Sequence, residues 1–387
     1  MFLGVSWTWC IGMFLPVLLV RDFGVWGWVV FAVPNVIGAA AMGWVLSSER
    51  QSRQLASAHR GACGWFSAVT IAFQIFFAGW MVRRLLGPAA VPVAFAATAL
   101  ILAIGRRGGD RRTAAVLWAL SAAAFAAVVM SGQVTVGEVL GPPTPATPVE
   151  IACMAATSVF GFLLCPYLDL TFHQAFQGAV RNGRPAARWA FTLGFVVFFA
   201  PMIVFTLVYV PLLGPMLEAG GPGPGEALPW VIGGHMVLQL AFTAAVHWRA
   251  VVGEDDGSLA RGVVGLVGGF VLAGLVPMAL AAVPRFRGLD SGEAMYRGFM
   301  AFYGLVFPAY VWLCVLPARR TGRGPTAGML AAFVAAVVLA GPAFWMAFIE
   351  RRAVWMAPGV AIVLAARLFV RAGGSRDGDE GRTLFVE

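Results

Sequence analysis

Apolar stretches of about twenty residues recur from one end of this chain to the other, and that recurrence leaves few folds open. A bilayer core takes roughly 20 residues of helix to cross. Lipid offers no partner to a bare backbone N–H or C=O, so each run must satisfy its own polar groups, which a helix does and an irregular segment does not. Twelve such runs can be read, near 2–20, 25–47, 62–82, 86–105, 113–131, 150–176, 187–212, 227–251, 259–283, 294–316, 326–348 and 353–371. The expected fold class is all-α: a polytopic membrane protein of about 12 transmembrane helices. Composition agrees, since 60% of the 387 residues are hydrophobic and only 12% are charged.

The net charge of +9 is carried by arginine alone, because no lysine occurs. Those arginines sit in short loops between apolar runs instead of lining one helix face. This is an orientation signal for a lipid bilayer and excludes a nucleic-acid footprint. Loops on one side carry eighteen arginines, among them Arg53, Arg181 and Arg249; loops on the other carry eight, among them Arg21, Arg84, Arg297 and Arg351. Positive charge stays on the cytoplasmic side, so both termini are expected there, in a multi-pass protein of the cell's inner (plasma) membrane. The first apolar run has no basic segment before it and reads as a retained helix, not a cleaved signal. Cys10, Cys63, Cys153, Cys165 and Cys314 all lie in apolar runs without metal-ligand spacing, so neither a disulfide nor a metal site is expected. The stretches GPPTPATP and GGPGPGE read as connectors, and residues 372–387 as a disordered cytoplasmic tail.

An internal repeat sets the architecture. GWVVFAVPN (27–35) in the second run and GFVVFFAPM (194–202) in the seventh share five of nine residues. GMFLP (12–16) in the first run resembles GFLLCP (161–166) in the sixth. Gln74 and Phe77 in the third match Gln239 and Phe242 in the eighth. The period is thus five helices, and an odd period makes the two halves cross the membrane in opposite senses. The expected units are a first repeat over 1–131, a second over 150–316 and two appended helices over 326–371. With this order, and with the segments SWTWCIGMFLP and CPYLDLTFH, the chain resembles the LeuT-type fold of the amino acid-polyamine-organocation superfamily, nearer its sodium:solute symporters and nucleobase carriers than its neurotransmitter transporters. The major facilitator arrangement would instead pair the first helix with the seventh, and no such pairing is visible.

Polar residues inside the apolar runs mark the candidate site. Pro166 removes a backbone donor and clashes one turn back, so the sixth helix should kink or unwind from Phe162 to Tyr167. Gly12 and Pro16 predict a matching break in the first. Paired broken helices point to a solute and ion site near the midplane, where half-helix ends present N–H and C=O groups. Asp169 follows the sixth-helix break. A carboxylate there must meet a cation, a proton or a donor, and His173, one turn on, is placed to hydrogen-bond it, with Gln174 beside it. The alternative is an interfacial cap. His235, Gln239, Thr243 and His247 recur every fourth residue along the eighth helix, with His247 expected at the cytoplasmic interface. Gln239 and Thr243 either contribute to the site or bind helix to helix. Thr70 and Gln74 would either face the same cavity or pack between helices, Ser6 and Thr8 would either line the first helix near the inner gate or belong to an interfacial anchor with Trp7 and Trp9, and Asn35 would satisfy a carbonyl freed by Pro34. The resemblance implies a bound sodium ion held by adjacent hydroxyls of the eighth helix. Thr243 is followed by Ala244 and Ala245, which departs from that pattern and favours a proton.

The expectation is therefore a secondary-active transporter for a small neutral or cationic organic solute, coupled to a proton or sodium, with the lipid bilayer as its surroundings and no organic cofactor. Two other classes stay open: a transport-inactive sensor on the same scaffold, and an intramembrane enzyme using Asp169 and His173 as an acid–base pair.

Overall fold

The computed structural model describes residues 1–87, 89–92, 96, 110–141, 146–219, 227–252, 288–318 and 324–373. Every regular element among them is helical. In chain order these are α1 (Phe2–Ser6), α2 (Cys10–Val45), α3 (Glu49–Ala58), α4 (Arg60–Leu86), α5 (Asp110–Met130), α6 (Val136–Leu140), α7 (Pro148–Leu164), α8 (Leu170–Val180), α9 (Arg184–Thr192), α10 (Ala200–Ala219), α11 (Leu228–Val252), α12 (Ser291–Tyr310), α13 (Leu316–Ala318), α14 (Ala327–Phe348) and α15 (Met356–Gly373). A 3₁₀ turn, Cys165–Leu168, stands between α7 and α8. Wider π-helical turns at Leu193–Phe199 and Val311–Val315 join α9 to α10 and α12 to α13. Nine helices among the described residues are long and apolar enough to cross a membrane.

At 36 residues, α2 is too long for one crossing. It breaks at Gly24, whose φ of 66° is one that only glycine adopts freely. A Cβ on Gly27 would lie 2.6 Å from the Leu19 carbonyl oxygen. Eight residues of continuous helix span about 12 Å, so the chain doubles back here, and α2 is two legs, 10–23 and 25–45. These are the first and second apolar runs of the sequence.

The core is aromatic and glycine-spaced. The second leg of α2 meets α7 so closely that a Cβ on Gly38 would lie 2.6 Å from the Phe162 backbone, a small-residue contact of the kind that packs helices in lipid. Helix α4 packs along α11, and α14 along α12 and α15. Trp26, Ile37, Val338 and Leu368 are each at least 60% exposed, which suits an acyl-chain environment.

Charge sorts by end. Arg21 and Arg297 join Asp22 and Glu293. Arg53 and Arg181 share Glu49, and Arg249 pairs with Asp110. The first group draws only on loops and helix ends assigned above to one side, the other two only on those of the opposite side.

Several expectations shift. The interhelical loop SSERQSRQLASAHR is largely helical, as α3, capped by the Ser48 hydroxyl on the Gln51 N–H. The connector at 131–149 carries the short helix α6 with a Thr135–Glu138 capping box. The helix expected at 259–283 lies outside the described residues, as does most of the one at 86–105; so does the tail from 374.

Candidate functional site

Both expected interruptions exist, but the first falls elsewhere. The chain leaves helical geometry at Trp7–Trp9, between α1 and α2, and not at Gly12 or Pro16. Pro16 is buried inside a continuous stretch of α2. Around it the Tyr296 hydroxyl donates to the Cys10 carbonyl at 3.0 Å and Tyr209 donates to that of Met13. Hydroxyls from other helices thus brace the turn that holds Gly12, whose carbonyl is the one Pro16 leaves without a donor, and the helix continues through it. At Trp7–Trp9 the indoles do the equivalent work. Trp7 Nε1 donates to Asn35 Oδ1 at 2.7 Å and Trp9 Nε1 donates to the Ser6 carbonyl at 2.6 Å. The Cys10 N–H donates to Gln74 Oε1 at 3.2 Å.

The sixth-helix interruption falls where the proline places it. Pro166 and Tyr167 lie in the buried 3₁₀ turn, and Asp169 is extended, at φ −83° and ψ 106°. Asp169 caps α8: its Oδ1 accepts from the Thr171 N–H at 2.8 Å, the Thr171 hydroxyl at 2.7 Å and the Phe172 N–H at 3.4 Å. A capping side chain replaces the missing intrahelical acceptor and adds about 1 kcal/mol to the helix. Its other oxygen, Oδ2, is fully buried and has no hydrogen-bond partner. The nearest base is His247, whose Nε2 lies 3.8 Å away and is itself unpartnered, while its Nδ1 meets the Ser67 hydroxyl at 3.1 Å. Asp169 and His247 are both 0% exposed. Removing such a charge from water carries an effective penalty of several kcal/mol, so this pair is the most constrained electrostatic feature of the fold.

His173 does not serve Asp169. Its Nδ1 meets Ser52 of α3 at 2.8 Å and its Nε2 meets the Tyr167 carbonyl at 3.1 Å. The break frees that carbonyl, and the histidine one turn into α8 is the donor that reaches it. Gln174 is exposed, in a groove with Phe2, Asp110 and Asn182. His247 was expected at the interface and is buried instead, because α11 packs along α4 over its length. The rest of the α11 stripe binds helix to helix: His235 Nδ1 and Gln239 Nε2 both meet Ser121 of α5, at 2.9 and 2.7 Å, and the Thr243 hydroxyl reaches the Ser6 carbonyl at 3.5 Å. Ser6 and Thr8 donate to carbonyls within α1. Thr70 donates to the Phe66 carbonyl and accepts from the Tyr303 hydroxyl.

A cavity of about 100 Å³ lies where the interruptions meet, walled by Trp7, Trp9, Gly12, Phe31, Asn35, Gly161, Phe162, Cys165 and Tyr303, with Thr157 and Ser158 among its few hydroxyls. Of the expected site residues Gly12 lines it, while Asp169 stands behind its wall. Trp9 forms that wall, with its ring 5.4 Å from His247 in edge geometry. Trp7 does the same on the other side, 4.9 Å from Phe172, whose N–H donates to the capping Asp169. A second, polar cavity of about 1090 Å³ opens beside Phe14, Arg21, Asp22, Trp80, Glu150 and Glu293. Its ion-pair network was missed; the adjacent Arg21–Asp22 and the i, i+4 spacing of Glu293 and Arg297 were its signal. The chain matches no protein-family model, and no curated protein matches it closely enough to show a family.

Proposed function

We propose that the protein is a secondary-active transporter that moves a small organic solute by alternating access, coupled to a proton or sodium ion. In this reading the scaffold is a LeuT-type 5+5 inverted repeat with two appended helices, twelve spans in all, and both termini face the cytoplasm of the inner membrane. The observation that carries the reading is Asp169: a fully buried carboxylate with one unpartnered oxygen, at the interruption of one helix, beside a cavity shared with the interruption of another. Ionisable groups held inside a bundle at such cost mark ion and substrate paths. Freed backbone is kept at membrane depth only where it faces protein or a cavity.

The cavity restricts the solute. An apolar cavity of about 150 Å³ accommodates benzene, so about 100 Å³ fits a compact body of similar size or smaller. Aromatic faces with a single amide and a few hydroxyls suit a neutral or cationic solute and offer an anion nothing. The polar cavity is then the outer vestibule, closed beneath by Phe14 and Trp80 and held by the Arg21–Glu293–Arg297–Asp22 network.

The test is uptake by purified protein in liposomes, with a panel of small neutral and cationic organic solutes, under an imposed proton gradient, a sodium gradient or neither. Accumulation of at least one solute under one gradient is expected. No accumulation under any gradient, with correctly folded protein, contradicts the proposal.

A further inference from the structure

We infer that Asp169 and His247 together hold one exchangeable proton, and that this shared proton is the coupling ion. The second half of that statement rests on the transporter reading above; the first does not. The geometry carries it. Oδ2 of Asp169 and Nε2 of His247 face each other at 3.8 Å, each fully buried and each without a hydrogen-bond partner. At that separation they are too far apart for a direct bond and close enough for a small shift to make one. Everything else about the two side chains is already fixed. Oδ1 is spent on the α8 cap, and Nδ1 is held by Ser67 of α4.

The donor set selects the ion. Oδ2 faces a ring nitrogen, whereas hard cations take shells of oxygen ligands and imidazole suits softer metals or a proton. None of the neighbouring hydroxyls supplies the missing proton: Thr171 donates to Asp169 Oδ1, Thr8 to the Gly4 carbonyl and Thr243 to that of Ser6. The remaining titratable neighbours are accounted for. His173 of α8 bonds Ser52 and the Tyr167 carbonyl, Tyr303 of α12 bonds Thr70, and Cys10 and Cys165 flank Tyr303 from α2 and the 3₁₀ turn.

The step balances simply. A carboxylate and a neutral imidazole carry a net charge of −1, and one proton taken from water makes the pair neutral. Loaded, the pair closes a hydrogen bond between α8 and α11; unloaded, it leaves a lone buried charge that favours opening to water. Trp9, between His247 and the cavity, and Trp7, against Phe172, place the solute on the opposite face of the rings that pack against the pair.

The experiment is a titration of the full-length protein in lipid nanodiscs between about pH 4.5 and 9, followed by the ¹⁵N signals of its 4 histidines and by the infrared band of protonated carboxyl groups. One protonation step is expected, on His247 or on a carboxyl, and both Asp169→Asn and His247→Gln should remove it or move it by more than about tenfold in proton affinity. Ser67→Ala, which leaves both titrating groups in place, should move it by less. The inference is overturned if wild-type protein shows no such step, if the His247 signal is indifferent to Asp169→Asn, or if sodium at constant pH displaces the proton. Vesicles loaded with a pH-sensitive dye and challenged with the solute panel separate the two halves. Sodium-driven uptake with a silent pair overturns the inference and leaves transport standing. A titrating pair in a protein that accumulates nothing removes coupling and transport but keeps the pair.

Discussion

The two helix interruptions solve the same problem in opposite ways. At Trp7–Trp9 the groups that close the gap are neutral: two indoles, a threonine hydroxyl and the Gln74 amide. At Cys165–Asp169 the gap is closed by a carboxylate that uses one oxygen and leaves the other bare. A neutral closure reads as a joint that holds its shape at every stage of a cycle. A charged, half-satisfied closure is one whose energy depends on what is bound, because an unpartnered buried charge is costly until something neutralises it. The comparison teaches that similar breaks in similar helices need not be equivalent: one is closed by neutral groups alone, and the other keeps a buried carboxylate oxygen without a partner.

The largest expected effect breaks the asymmetry outright. Asp169→Asn keeps an oxygen to cap α8 but removes the charge, so coupled uptake should fall by about a hundredfold or more, the scale of losing a transition-specific interaction of about 3 kcal/mol, while expression and melting temperature hold. Uptake equal to wild type would refute the assignment. Next comes the vestibule network, the one place where charges on the first leg of α2 are paired. Arg297 is 7% exposed at its side chain against Asp22 at 10% and Glu293 at 12%. Arg297→Leu leaves Asp22 and Glu293 with Arg21 as their shared cation and should cost about 3 kcal/mol, the low end for breaking a buried pair, in thermal or denaturant unfolding; an unchanged melting temperature would show the network to be idle.

Smaller effects sharpen the neutral side. Trp7→Phe leaves Asn35 Oδ1 without its donor, and Gln74→Leu leaves the Cys10 N–H without its acceptor. Each should destabilise by about 1–3 kcal/mol yet retain coupled uptake, in contrast to Asp169→Asn. Loss of coupling in Trp7→Phe at unchanged stability would mean that the first break also handles charge. The smallest effect lies at the partly exposed Glu49, whose carboxyl is held below the usual range by hydrogen bonds from Arg181 and then Arg53. A depressed value adds stability above the unfolded carboxyl's range and loses it as pH falls through the folded value. Glu49→Gln should therefore matter slightly at neutral pH and progressively less as pH falls below about 4, and salt should erase the difference.

Much of this was legible in the residues. Helix class and most spans follow from apolar run length, and the sixth-helix break follows from Pro166, which removes a backbone donor inside an apolar run. The same logic misplaced the first break: the turn before Pro16 is braced by tyrosines 196 and 286 residues from the carbonyls they hold, long-range contacts that no local pattern encodes. His173 and His247 were exchanged in role for a related reason. Sequence spacing put His173 one turn from Asp169, but the bend at Asp169 turns that face toward Ser52 and the Tyr167 carbonyl, and the packing of α11 along α4 brings His247 in from the other side. The two copies of the GFVVFFAPM-like segment show a further limit of local pattern: residues 27–35 are α-helical and Leu193–Phe199 is π-helical.

Alternating access around the interruptions can be tested without knowing the solute. Cys165 lies in the sixth-helix break and lines the cavity, so a variant with Cys10, Cys63, Cys153 and Cys314 replaced by alanine carries a single reporter thiol. In oriented liposomes a small membrane-impermeant thiol reagent should reach Cys165 from either face, with the two rates moving in opposite directions when the cation gradient is reversed. Labelling from one face only, at a rate indifferent to the gradient, would contradict the account.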